Sequence, residues 1–380
     1  MRHQKKGRKL GVNPPHRKAM LRNLAANLIE HKRIKTTDAR AKALRSFIEP
    51  LITKAKRGDL NSIRQIGKKI PRKLIVHKLV HEIAPTFSER NGGYTRIIKL
   101  GFRDNDRAAV SLIEFVDHET VDDIDLIVFA TSTPDYYAPG SGCLLQNKMG
   151  FKTIGALDIR VQCSGFVYGL SIADQYIKTG AAKHILVIGA EVQSTAMDMT
   201  TRGRDTAVIF ADGAGAVIIS ATNEDKGIKS THLHSEGKHA KELWVESPSS
   251  SASPRLTPEI LENGNHLLYM NGREVFRNAV TRFPEVIKEA MDAHKMNSND
   301  VDLLVPHQAN IRIMEFVAKK MGIPMEKIIS NIHRVGNTTA ASIPIALSEV
   351  VQNGQIKKGN NIILAAFGSG FTWASAAIKW

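Results

Sequence analysis

Cysteine is nearly missing from this 380-residue chain, which has only Cys143 and Cys163. So low a count excludes a disulfide-stapled scaffold, and neither thiol stands in a paired metal-binding spacing. Long apolar runs are missing too. Nothing approaches the roughly eighteen apolar residues that a membrane span needs. The opening MRHQKKGRKL has basic residues without the apolar segment of a secretory signal. These absences lead to the expectation of a soluble, cytoplasmic protein. Acidic residues are scarce in one region only. Residues 1–117 hold 28 Lys+Arg against 10 Asp+Glu, a net of +18, whereas residues 118–380 hold 25 against 27, a net of −2. The overall +16 therefore describes neither part. The split reads as a polyanion-binding module joined to a near-neutral, enzyme-like body.

The first part consists of a basic arm, three helical stretches and two strands. MRHQKKGRKLGVNPPHRK, closed by Pro14-Pro15, is too polar to fold alone. HRKAMLRNLAANLIEHKRI sets Met20, Leu21, Leu24, Leu28 and Ile29 on one helical stripe. TTDARAKALRSFIEPLITKAKRG offers Thr37 and Asp38 as caps and stops at Gly58, and RKLIVHKLVHEIA repeats the amphipathic pattern. NGGYTRIIKL and AAVSLIEFV read as strands, with Asn91-Gly92-Gly93 as the turn before the first. A single run of lysines is ordinarily a solvated face. An excess sustained for over a hundred residues suits counterion release from a nucleic-acid backbone. No base-reading motif is visible, so recognition of phosphate and shape in folded RNA is expected.

The blocks MRHQKKGRKLG, HRKAMLRNLAANLIEHKRIKTT, ITKAKRGDL and RNGGYTRIIKLG, in that order, closely resemble bacterial large-subunit ribosomal protein L-seventeen. The resemblance runs from Met1 to about Asp117. It implies an α+β ribosomal domain with a structural, non-catalytic role on large-subunit ribosomal RNA.

From residue 121 strands and helices alternate. DIDLIVFATS, 123–132, returns as DVDLLVPHQA, 300–309, and DTAVIFADGAGAVII has a looser echo in NNIILAAFGSGFTWASAAI. Two related halves with nearly continuous apolar strands predict an α/β core whose sheets are covered on both faces. The repeat also exposes a gap. The long amphipathic NGREVFRNAVTRFPEVIKEAMDAH precedes the second copy, whereas RAAVSLIEFVDHETV, a strand and a short polar joint, precedes the first. The first half lacks its opening elements.

Chemistry gathers at three places. Cys163 lies in QCSGFVYGL between a strand and a long helix, where helix N–H groups favour a thiolate; alternatively it is a small buried hydrophobe. Cys143, in GSGCLLQNKMG, is assigned only that second role. His307, in LLVPHQAN, ends an apolar strand, a place where α/β sheets present functional groups; alternatively it is a satisfied core histidine. Asn337, in HRVGNTTAAS, follows a glycine turn and is also read as a helix cap.

Together TSTPD, QCSGFVYGL, IFADGAGAV, PHQANIRI, GNTTAASIPIAL and FGSGFTW resemble 3-oxoacyl-acyl-carrier-protein synthase III, of the thiolase-like fold, from about Thr120 to Trp380. The resemblance implies that Cys163 is a nucleophile acylated by acyl-CoA. His307 and Asn337 would hydrogen-bond the thioester oxygen of malonyl-carrier protein as enolate charge develops. The N–H of Cys163 and the turn Gly368-Ser369-Gly370 would hold the acyl-enzyme oxyanion. Asn310 and Arg312 match a cofactor-channel or carrier-docking position, and Arg204 a coenzyme-adenine position for which Arg202 competes. Ala138, where relatives carry a bulky gate, suggests room for a longer or branched primer. ELWVESPSSSASPRLTPEILENG reads as a loop over the active site or a surface excursion. The substrates implied are acyl-CoA and malonyl-carrier protein, with no permanent cofactor or metal. Partners would be acyl carrier protein and a second copy of the chain, with no membrane.

The expected domains are 1–117, ribosomal-like; 118–222, a truncated N-terminal half; and 223–380, the C-terminal half. The resemblance implies that about eighty opening residues of the synthase are absent, including a central strand of the first half-sheet and an aromatic–arginine pair for the coenzyme. Three readings follow: a condensing enzyme with an RNA-binding appendage, a ribosomal protein carrying a damaged enzyme remnant, or a join between two reading frames. The truncation leads to the expectation that the purified chain does not condense acetyl-CoA with malonyl-carrier protein.

Overall fold

A computed structural model describes residues 9–88, 90–103, 106–116 and 123–380. Two compact units emerge, Met1–Thr120 and Val121–Trp380. Residues 1–8 of the N-terminal arm and the whole polar joint at 117–122 lie outside the described residues.

In the first unit, Asn13 caps α1 (Pro14–His31) by accepting from His16 N at 2.9 Å, and the two prolines sit in the first turn, where a missing N–H costs little. β1 (Arg33–Thr37) follows, then α2 (Asp38–Arg57), which ends on left-handed Gly58 as its sequence predicts. α3 (Leu60–Lys69) is capped by Asp59, and α4 (Lys73–Lys78) runs on through a π turn and a 3-10 turn to Phe87. β2 (Thr95–Phe102) and β3 (Ala109–Phe115) match the two predicted strands. β1 and α3 were not anticipated. RIKTT is too short to show a strand period, and becomes one because Ile34 and Thr36 pair with Ile113 and Ser111 of β3. The sheet order is β1-β3-β2, and Leu28, Leu44, Ile48, Ile52, Phe87 and Tyr94 are fully buried or nearly so in the core.

The second unit contains two four-stranded sheets. The first half comprises β4 (Leu126–Ala130), α5 (Ser141–Met149), β5 (Gly155–Ile159), α6 (Gly165–Lys178), β6 (His184–Glu191), α7 (Arg204–Ala207) and β7 (Gly213–Ser220), with strand order β5-β4-β6-β7. The second begins with β8 (Gly227–Ser235), β9 (Leu243–Trp244), α8 (Pro258–Asn263), β10 (Tyr269–Met270) and α9 (Gly272–Ala293). It continues through β11 (Leu303–Pro306), α10 (Ile311–Met321), α11 (Ile332–Val335), α12 (Ser342–Gln352), β12 (Asn361–Gly368) and β13 (Thr372–Lys379), with order β11-β12-β13-β8.

The sequence repeat is a repeat of hydrogen bonds. Asp125, just before β4, accepts from His184 N at 3.1 Å and donates its own N–H to His184 O. Asp302, just before β11, accepts from Asn361 N at 2.7 Å and donates to Asn361 O. Each aspartate fixes the register of the next parallel strand, which is why the Asp-hydrophobic pattern occurs twice.

Two expectations need correction. The place without a strand is not central, because β4 and β6 pair directly along their whole length, Leu126 with Ile185 through Ala130 with Gly189. β7 stands at the edge, where its counterpart β13 is covered by β8. Nor are both sheets covered on both faces. Ala214 and Ala216 are exposed and Ile218 is 42% exposed on the outer face of β7.

Candidate functional site

Cys163 lies in a 3-10 turn, Gln162–Ser164, between β5 and α6. Gln162 is held at φ 43°, a left-handed conformation rare for a residue with a side chain and common where function imposes strain. The helix-start position is the expected one, but it does not yield a thiolate. Cys163 is buried, and loss of solvation pushes its thiol up to about 12. The Glu191 carboxylate adds to that rise, and the Ser369 N–H opposes it. Desolvation of the anion outweighs the favourable helix end. Gly368 closes on the same residue: a Cβ there would stand 2.5 Å from the Cys163 Cβ, so only glycine fits.

His307 follows the last residue of β11 and is 1% exposed. Its N–H donates to Ala365 O at 2.7 Å, fixing it against β12, and its Nδ1 lies 2.6 Å from the Ser342 hydroxyl. Nε2 has no partner among the described residues. Burial pulls the imidazolium down to about 3, so the ring is neutral at ordinary pH.

Asn337 is held by its backbone between Ile209 and Ala211, donating to the Ile209 O and accepting from the Ala211 N, both at 2.9 Å. Its Oδ1 accepts from Thr339 N at 3.0 Å, a local turn that leads into Thr339–Ala341, whose N-cap is Thr338, and its Nδ2 has no partner among the described residues. Thr339 ties the site together. Its Oγ1 accepts from Gln193 Nε2 at 2.9 Å, its carbonyl lies 3.0 Å from the Ser342 hydroxyl, and its φ of 50° is strained for a β-branched residue. Glycines bring the halves together: a Cβ at Gly189 would meet Ala340 O at 2.3 Å, and one at Gly165 would meet Ala340 Cβ at 3.5 Å.

Several polar groups of the site were not singled out from sequence. Glu191 is 3% exposed and accepts from Ser132 N, the Ser132 and Thr133 hydroxyls and Gln193 Nε2. The TSTPD block thus seats a buried carboxylate. The sequence signal was a single acid ending the apolar strand HILVIGAE, since a buried charge needs built partners. Ser342 and Gln308 are fully buried beside His307, where Gln308 Nε2 donates to Pro306 O and Ile329 O.

The remaining candidates spread outward. Gly368 ends β12, and Gly370 sits at φ 134° in the turn before β13. Arg204 is exposed and makes no bond to the described residues, whereas Arg202 is committed to Asp198 and Glu262 O. Asn310 caps α10 by accepting from Arg312 N at 2.9 Å, and the Arg312 side chain is exposed. Cys143 is exposed on α5, not the small buried hydrophobe expected; the buried positions of that helix are Ser141 and Gly142. Ala138 is exposed, and its neighbour Tyr137 contacts the predicted loop through the Ser250 hydroxyl at 2.6 Å and the Arg255 guanidinium at 4.8 Å.

The family model for 3-oxoacyl-[acyl-carrier-protein (ACP)] synthase III matches residues 157–237, and that for its C-terminal part matches 291–380. A beta-ketoacyl-[acyl-carrier-protein] synthase III of Xanthomonas campestris is 39% identical over 321 residues, 83% of this chain and 96% of its own length. The chain belongs to the beta-ketoacyl-[acyl-carrier-protein] synthase III family. A synthase III of Aliivibrio fischeri is 44% identical over 273 residues, 72% of this chain and 82% of its own. The crystal structure of 3-oxoacyl-[acyl-carrier-protein] synthase III from Aquifex aeolicus superposes with a TM-score of 0.62 and 39% identity, over 68% of this chain and 78% of that one. The two extents differ. Alignments covering 83% of the chain reach back into the first unit, while the shared geometry stops at 68%, the share that Val121–Trp380 makes up. Common backbone geometry is the stricter criterion, so the synthase III fold is assigned to the second unit. It is thiolase-like. The model of ribosomal protein L17 matches residues 20–116, so a ribosomal-protein segment precedes it. In that segment three ion pairs, Lys42–Asp38, Arg96–Glu114 and Arg103–Asp106, account for the cations paired with acids among the described residues. No helix of the described residues is long and apolar enough to cross a membrane.

Proposed function

We propose that the second unit takes an acyl group from acyl-CoA onto Cys163 and condenses it with malonyl-carrier protein, and that the first unit is a ligand of large-subunit ribosomal RNA. The observation carrying the enzymatic reading is a pair of nitrogens without a partner among the described residues, the buried His307 Nε2 and Asn337 Nδ2. Each belongs to a buried side chain whose other polar atom is tied to the one segment Thr339–Ser342.

The chemistry follows from that pair. Cys163 Sγ bonds to the acyl carbon, the bond from that carbon to the coenzyme sulfur breaks, and the thiol proton ends on the departing coenzyme thiol. Malonyl thioester then loses carbon dioxide, and the electron pair of the broken bond moves into an enolate. Asn337 Nδ2 and His307 Nε2 donate to its oxygen, in a site dry enough for both bonds to be strong. The enolate carbon attacks the acyl-Cys163 carbonyl, a carbon–carbon bond forms and the carbon–Sγ bond breaks. Cys163 leaves as a thiolate that takes up a proton from solvent, its original proton having gone with the coenzyme thiol. Gly368 and the Ser369 N–H bound the sulfur throughout. Arg204, Asn310 and Arg312 form the exposed approach for the coenzyme and carrier protein, with Arg204 unpaired and free to meet phosphate. A homodimer belongs to the same reading, because β5 is an edge strand with its outer side unpaired among the described residues. The cellular place of both activities is the cytoplasm.

The assay is condensation of acyl-CoA with malonyl-carrier protein by the full chain. The missing opening residues lead to the expectation of no turnover. That expectation is reversed, because Cys163, His307 and Asn337 are all held by elements the chain retains. Turnover that is lost in Cys163→Ser is therefore expected, and its absence in the parent chain removes the enzymatic reading. For the first unit, binding of the full chain to a large-subunit RNA fragment is expected to weaken with a log–log salt slope of about −5, for roughly six phosphate contacts.

A further inference from the structure

The two halves of the second unit differ at one place that the repeat makes visible. In β12, Ile363, Ala365 and Phe367 stand opposite Ala377, Ser375 and Trp373 of β13. All six are buried, five in the cluster that includes Phe283, Val286 and Ile287 of α9, and the Ser375 hydroxyl donates to Val286 O of α9 at 2.8 Å. On the free side of β13 lies β8, antiparallel, from Thr372 opposite Ser235 to Lys379 opposite Gly227. In the first half the same ladder positions are Leu186, Ile188 and Ala190 of β6 opposite Ile218, Ala216 and Ala214 of β7. All are apolar. Ile188 is buried, and Leu186 and Ala190 are half-buried, in a cluster with Ile124, Ile127 and Phe151 that also takes in Leu145 and Met149 of the short α5. Yet no helix as long as α9 lies across the ladder among the described residues, and Ala214, Ala216 and Ile218 are exposed. No strand pairs the outer edge of β7 among the described residues. Its sequence, GAGAVIIS, has no charge, no proline and no bulge, the devices that keep an edge strand from pairing.

We propose that this open edge and face is a docking site for a strand–helix segment of another polypeptide. An extended strand adds antiparallel to β7, as β8 does to β13, and an amphipathic helix then lies across β6 and β7, as α9 does across β12 and β13. The chemistry of the occupant follows from the floor it covers. Ala190, Ala214 and Ala216 are small where the second half has Phe367, Trp373 and Ser375, so the docking helix carries larger apolar residues than α9 at its contact positions. Docking bears on the candidate site through the chain itself, because Ile209–Ala211, which grips the Asn337 backbone from both sides, leads directly into β7.

The test is hydrogen exchange of the full chain with two synthetic peptides. One joins the sequences of Gly227–Ser235 and Gly272–Ala293 through a flexible linker; the other is the same peptide with Ala279→Leu and Ala290→Leu. In the free chain the outward amides of Gly213–Ser220 are expected to exchange fast, and the leucine peptide is expected to slow them at least tenfold. The Ile218→Glu chain, altered at an exposed position, is expected to lose that protection. Protection of β7 in the free monomer shows the edge already filled from within the chain, and protection that grows with chain concentration assigns it to a second copy. Either result, or no slowing by both peptides, overturns the proposal. Exchange is read without turnover, so it stands apart from the condensation assay.

Discussion

The Ser342 hydroxyl lies 2.6 Å from His307 Nδ1 and 3.0 Å from Thr339 O, and it has one proton for the two acceptors. Thr339 O already accepts the backbone N–H of Ser342, so it loses nothing when the hydroxyl turns to the shorter contact. With the hydroxyl assigned as the donor to Nδ1, the ring proton sits on Nε2, which has no partner among the described residues. Ser342→Ala removes that control. Nitrogen NMR of the parent chain is expected to show Nε2 protonated, and the variant a mixture of tautomers. Condensation should fall about tenfold or more, within the usual worth of a positioned proton donor, while acyl transfer to Cys163 changes less than twofold. An unchanged tautomer in the variant rejects the assignment.

Burial of His307 makes acid stability a direct readout. Its folded value, about 3, lies below the ordinary 6.5, so the unfolded chain binds the proton first as pH falls. The stability it contributes is fully present above 6.5 and is lost as pH drops toward 3, by up to about 1.4 kcal/mol per pH unit for one proton. Melting temperatures between pH 7 and 4 are expected to fall less steeply in His307→Gln than in the parent chain. Equal slopes in the two chains count against a buried neutral imidazole.

The two thiols should differ sharply in reactivity. Cys143 is exposed, whereas Cys163 is buried with its thiol raised to about 12. Iodoacetamide at pH 8, followed by peptide mass spectrometry, is expected to label Cys143 at least tenfold faster than Cys163. Because the Glu191 carboxylate contributes to the rise, Glu191→Gln should lower the Cys163 thiol and speed its labelling several-fold while Cys143 is unaffected. Stability moves the opposite way with pH for this thiol: its contribution is intact below about 9 and is lost as pH climbs toward 12.

Arg202 and Arg204 separate by the company they keep. Arg204→Ala is expected to raise the KM for acyl-CoA several-fold with little change in kcat, the mark of lost ground-state binding. Arg202→Ala should leave that KM within twofold, because its guanidinium is already paired with Asp198. Equal effects on KM in the two variants refute the distinction.

Much of the architecture could be read in the chain because it is written in local patterns. Gly58 ends α2 because a left-handed cap needs glycine, and the Asp125 and Asp302 segments recur because each half must register its parallel strands in the same way. β1 was invisible because five residues with two lysine or arginine side chains have no period until β3 supplies their pairing. Glu191 went unnoticed because its partners Ser132 and Thr133 are about sixty residues away. The missing strand was placed centrally on the family resemblance, because neither the resemblance nor the repeat, read in one dimension, shows where in the sheet an absent element would lie.

Amino-acid order alone therefore determined the division of labour: a cationic module, a doubled α/β body, and Cys163 and His307 after apolar strands with Asn337 after a glycine turn. Charge and hydrophobic period are carried by neighbouring residues and survive in one dimension. Tertiary structure alone decided that Cys163 rests as a thiol, that Ser342 rather than solvent holds His307, that Arg204 is the free arginine, and that the gap opens on an edge. Each of those depends on desolvation or on bonds between distant residues, which exist only once the sheets have closed around them.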